Sequence, residues 1–208
     1  MNLAHISVVD GASRAKLLKA RTDATHQRLD QSIMAGDPFA SRDRYALFVA
    51  VQYRFHRDID ALYDNPTLRA LLPDLEDRRR LRHIEKDLAD LGIAAPVSAE
   101  TPAFGPDADV PTALGWLYVA EGSSLGAAFL LKMAAKLGLS EAFGARHLAG
   151  APEGRGLSWR TFTAALDGLA LSNAEQERVV AGAEQAFRRV HGLVQQTFGS
   201  SAEKPASA

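Results

Sequence analysis

The stretch from Tyr45 to Leu62, YALFVAVQYRFHRDIDAL, decides the fold class of this chain. Uncharged and mostly apolar side chains recur along it at alternating spacings of three and four residues, which lines one face of a long α-helix. A strand would alternate every second residue, and this stretch does not. The stripe consists of Tyr45, Phe48, Gln52, Phe55, Ile59 and Leu62.

The flanking segments repeat the helical pattern, and no segment is a convincing strand. Pro111 suits the first turn of a helix, and Gly138 can end that helix. Ser158 is expected to cap a further helix, and Ser172-Asn173-Ala174-Glu175 is a capping box that opens the last one. The sequence therefore predicts an all-α fold. Its expected helices cover about 13–35, 45–62, 81–91 and 111–137, and the regions after Ser158 and Ser172.

The domain organisation follows from the longest irregular stretch, residues 93–111, which contains four prolines. Cutting the chain there would leave two halves with too few amphipathic helices to close separate cores. We therefore expect a single-domain helical bundle over residues 13–198, a flexible N-terminus over 1–12 and a disordered tail over 199–208. The arginines of the run 78–82 are expected on an exposed face.

Composition excludes several functional classes. The chain has 208 residues, no cysteine and a formal net charge of −1 at pH 7. The absence of cysteine excludes disulfides, thiolate metal sites and iron–sulfur clusters. A net charge this close to zero does not attract the chain to nucleic acid or to an anionic membrane. The most apolar stretch, Ala113–Leu131, is interrupted by Glu121 and two serines, so no membrane span is expected. Without a recognisable signal peptide, a cytoplasmic location is predicted.

His26 is the histidine whose position is informative. No Glu-x-x-His pair supports a di-iron bundle, and no phosphate-binding, GxSxG or HExxH motif is present. His26 shares a helical face with Leu18 and Leu29, where a core side chain is expected. It is either a hydrogen-bonded core histidine or the single axial ligand of a large planar cofactor. His56, beside the stripe of the second helix, is expected at the surface or rim.

Two glycines on one helix give the second clue. Gly122 and Gly126 lie four residues apart, and each costs a helix about 1 kcal/mol relative to alanine. Either another helix packs against this bare backbone, or a flat ligand rests on it, with Ser123 and Ser124 orienting water. Lys19 lies seven residues before His26, so it points the same way about 10 Å along the axis. It is either a solvated lysine or the partner of a ligand carboxylate.

Several stretches, in this order and spacing, resemble the haem oxygenases, and specifically the bacterial members. The resemblance covers roughly residues 15–198. It is carried by His26-Gln27-Arg28-Leu29, Asp37–Asp43 (DPFASRD), Ala113–Tyr118 (ALGWLY), Glu121-Gly122-Ser123, Leu125–Leu130 (LGAAFL) and Phe143–Leu148 (FGARHL).

The resemblance implies that haem is held between a proximal helix and a kinked, glycine-rich distal helix. His26 matches the axial ligand, Gly122 and Gly126 match the distal glycines, and Tyr118 matches an aromatic near the haem. Haem would be substrate and cofactor, cleaved with dioxygen (O2) to biliverdin, Fe²⁺ and CO. Electrons would come from a ferredoxin or a flavoprotein reductase, and a bacteriophytochrome could accept the biliverdin. The distal aspartate of the animal members has no counterpart between Gly115 and Leu137.

The resemblance also implies which meso carbon is attacked. Members that release biliverdin isomers other than α hold the haem propionates with two lysines. The matching positions here are Met34 and Met133, which carry no charge. Lys19 matches the lysine of members that bind haem in the ordinary, α-directing orientation. Arg188 or Arg189 could hold the second propionate. Biliverdin IXα is the expected product. A non-catalytic protein that stores, senses or delivers haem, and a helical scaffold without cofactor, remain as alternatives.

Overall fold

The computed structural model describes residues 13–97 and 100–199. The predicted flexible N-terminus and residues 200–208 of the predicted tail lie outside the described residues. In the part described, the helices are α1 (Arg14–Ala35), α2 (Arg42–Ile59), α3 (Pro66–Leu71), α4 (Leu81–Asp90), α5 (Val110–Ala135), α6 (Arg155–Asp167) and α7 (Asn173–Gly199), and no strand is present. Short 3₁₀ turns lie at Asp60–Asp64, Glu76–Arg78 and Arg146–Leu148. The all-α prediction is confirmed.

Several helices begin where capping and proline residues predicted. The Ser172 hydroxyl accepts from the Glu175 backbone N–H, and the Glu175 carboxylate accepts from the Ser172 N–H at 2.8 Å. This is the reciprocal geometry of a capping box. Pro111 lies in the first turn of α5, whose cap, Asp109, accepts from the Thr112 N–H at 3.0 Å.

One predicted cap is wrong. Helix α6 begins at Arg155, after Gly154 turns the chain at a φ of +94°. Ser158 therefore lies inside the helix, where its hydroxyl and its carbonyl both accept from the Arg78 guanidinium at 3.1 Å. Glycine alone takes such a φ without strain, and this turn sets the start of the helix.

Helix α5 lies at the centre of the core and packs most extensively on α7. A Cβ at Gly115 would overlap the backbone of Val179 and Ala183, and one at Gly182 would overlap the backbone of Thr112. The two helices thus touch backbone to backbone. By length and composition α5 could cross a membrane, but half of its most apolar window is buried inside this domain. Its apolar character is that of a core helix.

The stripe of α2 forms the other half of the core. Tyr45, Phe48, Phe55 and Ile59 are almost inaccessible to solvent, as the spacing predicted. Gln52, also on the stripe, instead lines a cavity.

The expectation for the arginine run holds only for Arg82, which is exposed, because Arg78 is buried and Arg79 and Arg80 are half-buried. Arg78 is buried against Glu121, and Arg79 pairs with Asp60. Each charge is close to a carboxylate on another element, which compensates its burial.

Candidate haem site

A cavity of about 540 Å³ opens between α1 and α5. Helix α1 contributes His26 and its neighbours one and two turns on, and α5 contributes its glycine-rich centre. Helices α2 and α7 and the 3₁₀ turn Arg146–Leu148 close the inner wall. The volume lies within the usual range of cofactor and ligand sites. Most of the wall is apolar, including Phe48, Phe55, Val119, Leu130, Phe187 and Val190.

His26 faces this cavity instead of the core. Its side chain is 55 % exposed, which excludes the core-histidine interpretation. The ring contacts the Phe187 ring edge-on, with 5.6 Å between centroids. Its Nδ1 lies 3.4 Å from a carboxylate oxygen of Asp30, one turn further along α1. A carboxylate behind Nδ1 is the usual second partner of a metal-binding histidine, because it orients the ring and leaves Nε2 for the metal.

Asp30 was missed by sequence reasoning, although the spacing of four residues from His26 could have indicated it. Among the described residues, no group of three or more histidine or acidic side chains could hold a metal ion. A metal at His26 would therefore have to arrive with its own ligands, as the iron of a macrocycle does.

The glycine-rich centre of α5 lines the opposite side of the cavity, and the glycines differ in what surrounds them. A Cβ at Gly126 would meet no heavy atom within 4 Å, so this backbone is bare toward open space. A Cβ at Gly122 would lie 3.6 Å from the Trp159 ring of α6, although Gly122 also lines the cavity. Close helix packing is thus found at Gly115, Gly122 contacts a side chain of α6, and the backbone at Gly126 is open to the cavity.

The two serines of α5 line the cavity with their hydroxyl protons already engaged. Ser123 Oγ donates to the Ala120 carbonyl and Ser124 Oγ donates to the Glu121 carbonyl, both at 2.7 Å. Their hydroxyl oxygens remain as acceptors for water.

The inner wall carries polar groups that the sequence did not indicate. His56 is 6 % exposed and lines the cavity, so its predicted surface position is wrong. The ring contacts Phe55, and His147 from the turn Arg146–Leu148 lines the same cavity. Burial, together with electrostatic repulsion from His147 and Arg80, lowers the pKa of His56 to about 3. Gln52 and Arg80 complete this wall.

Two ring nitrogens of this wall lack a hydrogen-bond partner among the described residues. They are His56 Nδ1 and His147 Nε2, and both are buried. Buried polar atoms of this kind are normally satisfied by water or a ligand. The sequence could not indicate that these two rings share a wall, because α2 and the turn Arg146–Leu148 are far apart in the chain.

A second, polar cavity of about 500 Å³ lies behind the same wall and shares Arg80, Glu121 and Ser124 with the first. Glu121 is buried and accepts from Arg78 at 2.7 Å. Burial raises the pKa of Glu121 even though Arg78 opposes the shift.

Other predicted site residues lie outside the cavity lining. Tyr118 packs on Trp159 at 5.5 Å between ring centroids, toward α6. Lys19 is exposed on α1, and Arg188 is exposed on α7 with Glu184 at 3.5 Å. Met34, unlike these three residues, lines the cavity at its rim and is 44 % exposed.

Arg188 and Arg189, the two candidate propionate partners on α7, differ in their contacts. Arg189 donates to Asp58 at 2.7 Å and to Glu100 at 2.8 Å. Its guanidinium therefore already has two carboxylate partners. Arg188 has one exposed partner on its own helix, an interaction worth at most about 0.5 kcal/mol.

Known proteins match this chain over most of its length. A family model described as heme oxygenase matches residues 12–196. The chain is 45 % identical over 185 residues to heme oxygenase PigA of Pseudomonas aeruginosa, covering 89 % of this chain and 93 % of that one. It superposes with a TM-score of 0.86 and 38 % identity on the heme oxygenase of Neisseria meningitidis, covering 95 % of this chain and 99 % of that one.

A more distant structure shares the fold. The heme oxygenase of Leptospira interrogans matches with a TM-score of 0.69 at 18 % identity, covering 89 % of this chain and 100 % of that one. The family match, the close relative and the cavity between α1 and α5 agree, and this chain belongs to the heme oxygenase family.

Proposed function

We propose that this chain, a haem-degrading enzyme of the heme oxygenase family, binds haem between α1 and α5 with His26 as the iron ligand and cleaves it at the α-meso carbon. The observation that carries the site assignment is the geometry at His26. Its imidazole faces a cavity of about 540 Å³, with Asp30 behind Nδ1 and bare backbone at Gly126 on the facing helix.

The residues of the cavity fit haem in three respects. The wall is largely apolar, as the macrocycle requires, and the cavity opens to the surface at the rim that contains Met34. His26 presents its imidazole from α1, facing the glycine-rich centre of α5, as a proximal histidine would. The orphaned ring nitrogens of His56 and His147 give the interior a place for ordered water.

When bound, haem would supply an iron that binds and activates O2, and oxidation of the haem ring would release biliverdin, Fe²⁺ and CO. The chain supplies the geometry. His26 holds the ligand from one side, and Asp30 fixes which ring nitrogen is free. Gly126 allows the α5 backbone to approach closely, because no side chain stands between helix and ligand. His56, Gln52 and the serine oxygens face the interior, where they can hold water and pass protons.

Ligand orientation within the cavity would be set at the propionates. Lys19 and Arg188 are exposed cations on α1 and α7, the two helices that meet at the contact between His26 and Phe187. Met34, on the rim, offers no charge to a rotated ligand. We infer that Lys19 and Arg188 hold the propionates, which favours biliverdin IXα.

Electrons must come from outside the chain, since no nucleotide- or flavin-binding motif is present in the sequence. We infer a ferredoxin or a flavoprotein reductase as donor. A bacteriophytochrome that takes up biliverdin is a second inferred partner, and the cytoplasm is the inferred location.

The test is reconstitution with haem followed by reduction in air. The Soret band should appear on binding and then disappear, as biliverdin absorption rises after addition of a reductase system. Persistence of the Soret band through reduction would contradict catalysis and indicate a protein that only stores or delivers haem. Absence of a Soret band would contradict the site altogether.

A further inference from the structure

We propose that His147, held in place by Asp87, binds and orients water at the inner wall of the haem cavity and exchanges protons with it. The inference rests on the proposed function, because it assigns a role to the same cavity. His147 acts through water, so both residues are positioning residues.

The pair has well-defined geometry. His147 lies in the 3₁₀ turn Arg146–Leu148, and its Nδ1 is 2.7 Å from Asp87 Oδ2 on α4. Asp87 is completely buried. Its carboxylate also accepts the backbone N–H groups of Arg146 and His147, each at 2.9 Å. Three hydrogen bonds and the Arg146 guanidinium thus fix this carboxylate.

The turn is built to make these contacts. Gly144 has a φ of +73°, which allows the tight reversal that precedes Arg146. The Gly144 N–H donates to Asp90 at 2.8 Å, and Arg146 also pairs with Asp90. Two carboxylates one turn apart on α4 therefore hold the loop, but only Asp87 contacts the imidazole.

The charge state of Asp87 follows from its donors. Burial opposes ionisation, but the hydrogen bonds from His147 and the backbone outweigh it, and the pKa of Asp87 lies below its usual range. An ionised carboxylate can only accept, so it requires a proton on Nδ1 of His147. Nε2 is then left as the atom that faces other groups.

Nε2 has no partner among the described residues, although it is buried and the residue lines the cavity. A neutral imidazole with its proton on Nδ1 presents a lone pair at Nε2, and a protonated one presents a donor there. Water in the cavity would satisfy the nitrogen in either state. The imidazolium would release the Nε2 proton to that water, while the Nδ1 proton and the Asp87 charge stay in place. No electron is transferred in this step.

The surroundings distinguish His147 from His56. Both rings face the cavity, but among the described residues only His147 has a carboxylate partner, and the low pKa keeps His56 neutral near pH 7. The ionisable groups that interact with His147 are Asp87 and His83 on α4 and His56 on α2. Arg80 and Glu121 line the same cavity, and Asp90 pairs with Arg146 in the turn that carries His147. His147 is therefore the ring of this wall whose tautomer is fixed by a carboxylate.

The first test uses the protein without haem. Nitrogen-15 NMR of the histidine rings should show neutral His147 with its proton on Nδ1. In Asp87→Asn this preference should be lost, as when the carboxylate of a catalytic triad is replaced by an amide. In Asp90→Asn, which alters the same loop but not the imidazole contact, it should persist. A proton on Nε2 in the wild type, or an unchanged tautomer in Asp87→Asn, would overturn the inference.

The second test uses the haem complex of His147→Gln and of the same two aspartate variants. His147→Gln and Asp87→Asn should shift the pH midpoint of the acid–alkaline absorption change by about half a pH unit or more. They should also slow cleavage at least about tenfold. Haem affinity should stay within about threefold of wild type, and Asp90→Asn should resemble wild type in each measurement.

The outcomes separate the two proposals. If the wild type cleaves haem while His147→Gln matches it in midpoint and rate, only the role of His147 is wrong. If the wild type does not bind or cleave haem, the proposed function is wrong, and the NMR result still decides whether Asp87 sets the tautomer. A His147→Gln chain that failed to fold would leave Asp87→Asn and the wild-type tautomer to decide.

Discussion

Single residues in this chain differ sharply in how much their surroundings alter their chemistry. His26 is about half exposed and retains contact with solvent, while His56 is nearly inaccessible. Both rings line the same cavity, one at its opening side and one at its inner wall. The accessible ring is available to a ligand, and the buried one loses its ability to carry a charge.

Replacement of His26 by Ala should remove haem ligation without unfolding the protein. Its side chain is about half exposed, so we expect the free energy of unfolding to change by less than about 0.5 kcal/mol. Haem should bind with an altered, high-spin or water-ligated spectrum, and turnover should stop until imidazole is added. Asp30→Asn is the matched control, with a weaker loss of about tenfold in affinity or activity. Wild-type spectra and turnover in the Ala variant would contradict the assignment.

Burial of His56 predicts a pH-dependent stability. Its pKa is lowered in the folded protein from 6.5 to about 3, so the unfolded chain takes up a proton first as the pH falls. Stability should therefore decrease between about pH 6.5 and pH 3, by about 2 kcal/mol on going from pH 7 to pH 5. Urea denaturation at the two pH values measures the effect.

The control for this measurement is His56→Gln, which carries no charge at either pH. Other groups titrate equally in both proteins, so the difference between the two slopes belongs to His56. Parallel pH profiles for the variant and the wild type would show that His56 is protonated in the folded state or is more solvated than its burial indicates.

At the scale of elements, α5 serves two purposes along its length. Its N-terminal half packs backbone to backbone on α7 at Gly115, and its centre lines the cavity at Gly126. The same residue type thus permits a close helix contact at one position and leaves open space at the other. Substitution should separate these roles.

Gly126→Leu should stabilise the haem-free protein by up to about 1 kcal/mol, because glycine is a poor helix former and a Cβ there meets nothing. The same side chain should lower haem affinity or block O2 binding. Gly115→Ala should destabilise the protein by several kcal/mol, since its Cβ would overlap the α7 backbone.

Gly122→Ala provides the intermediate case, because its Cβ would make an ordinary contact with Trp159. It should be tolerated in both stability and haem binding. Thermal unfolding with and without haem measures all three variants. A Gly126→Leu protein with greater stability and normal activity would mean that haem does not rest on this part of α5.

At the scale of the whole molecule, the proposed orientation of the ligand would depend on charges supplied by different helices. Lys19 is on α1 and Arg188 on α7, and Met34 and Met133 leave the alternative positions uncharged. Exposed ion pairs are weak, but a preference of about 1.4 kcal/mol already gives tenfold selectivity.

We therefore expect biliverdin IXα as the main product, measured by chromatography of the extracted pigment. The double substitution Met34→Lys with Met133→Lys should raise the share of β and δ isomers, and Lys19→Ala should reduce selectivity. A wild-type product dominated by β or δ biliverdin would contradict the role of Lys19 while leaving the axial ligand unaffected.

The elements of this fold were predictable because their signals are local. The stripe from Tyr45 to Leu62, the capping box at Ser172 and the proline at position 111 each act within a few residues, and the structure confirms all three. The expected cap at Ser158 was wrong because Gly154, four residues earlier, turns the chain first.

The sequence alone determined the all-α class and the helix pattern, and through its resemblance it predicted His26 and the α5 glycines as site residues. The tertiary structure decided which groups share the cavity. Asp87 and His147 are 60 residues apart, and Arg78 and Glu121 are 43 apart, yet each pair is in contact in the interior. Periodicity reports only which face of a helix is apolar. The partner of a polar group depends on how distant elements pack, and packing alone brought His56 and His147 to one wall.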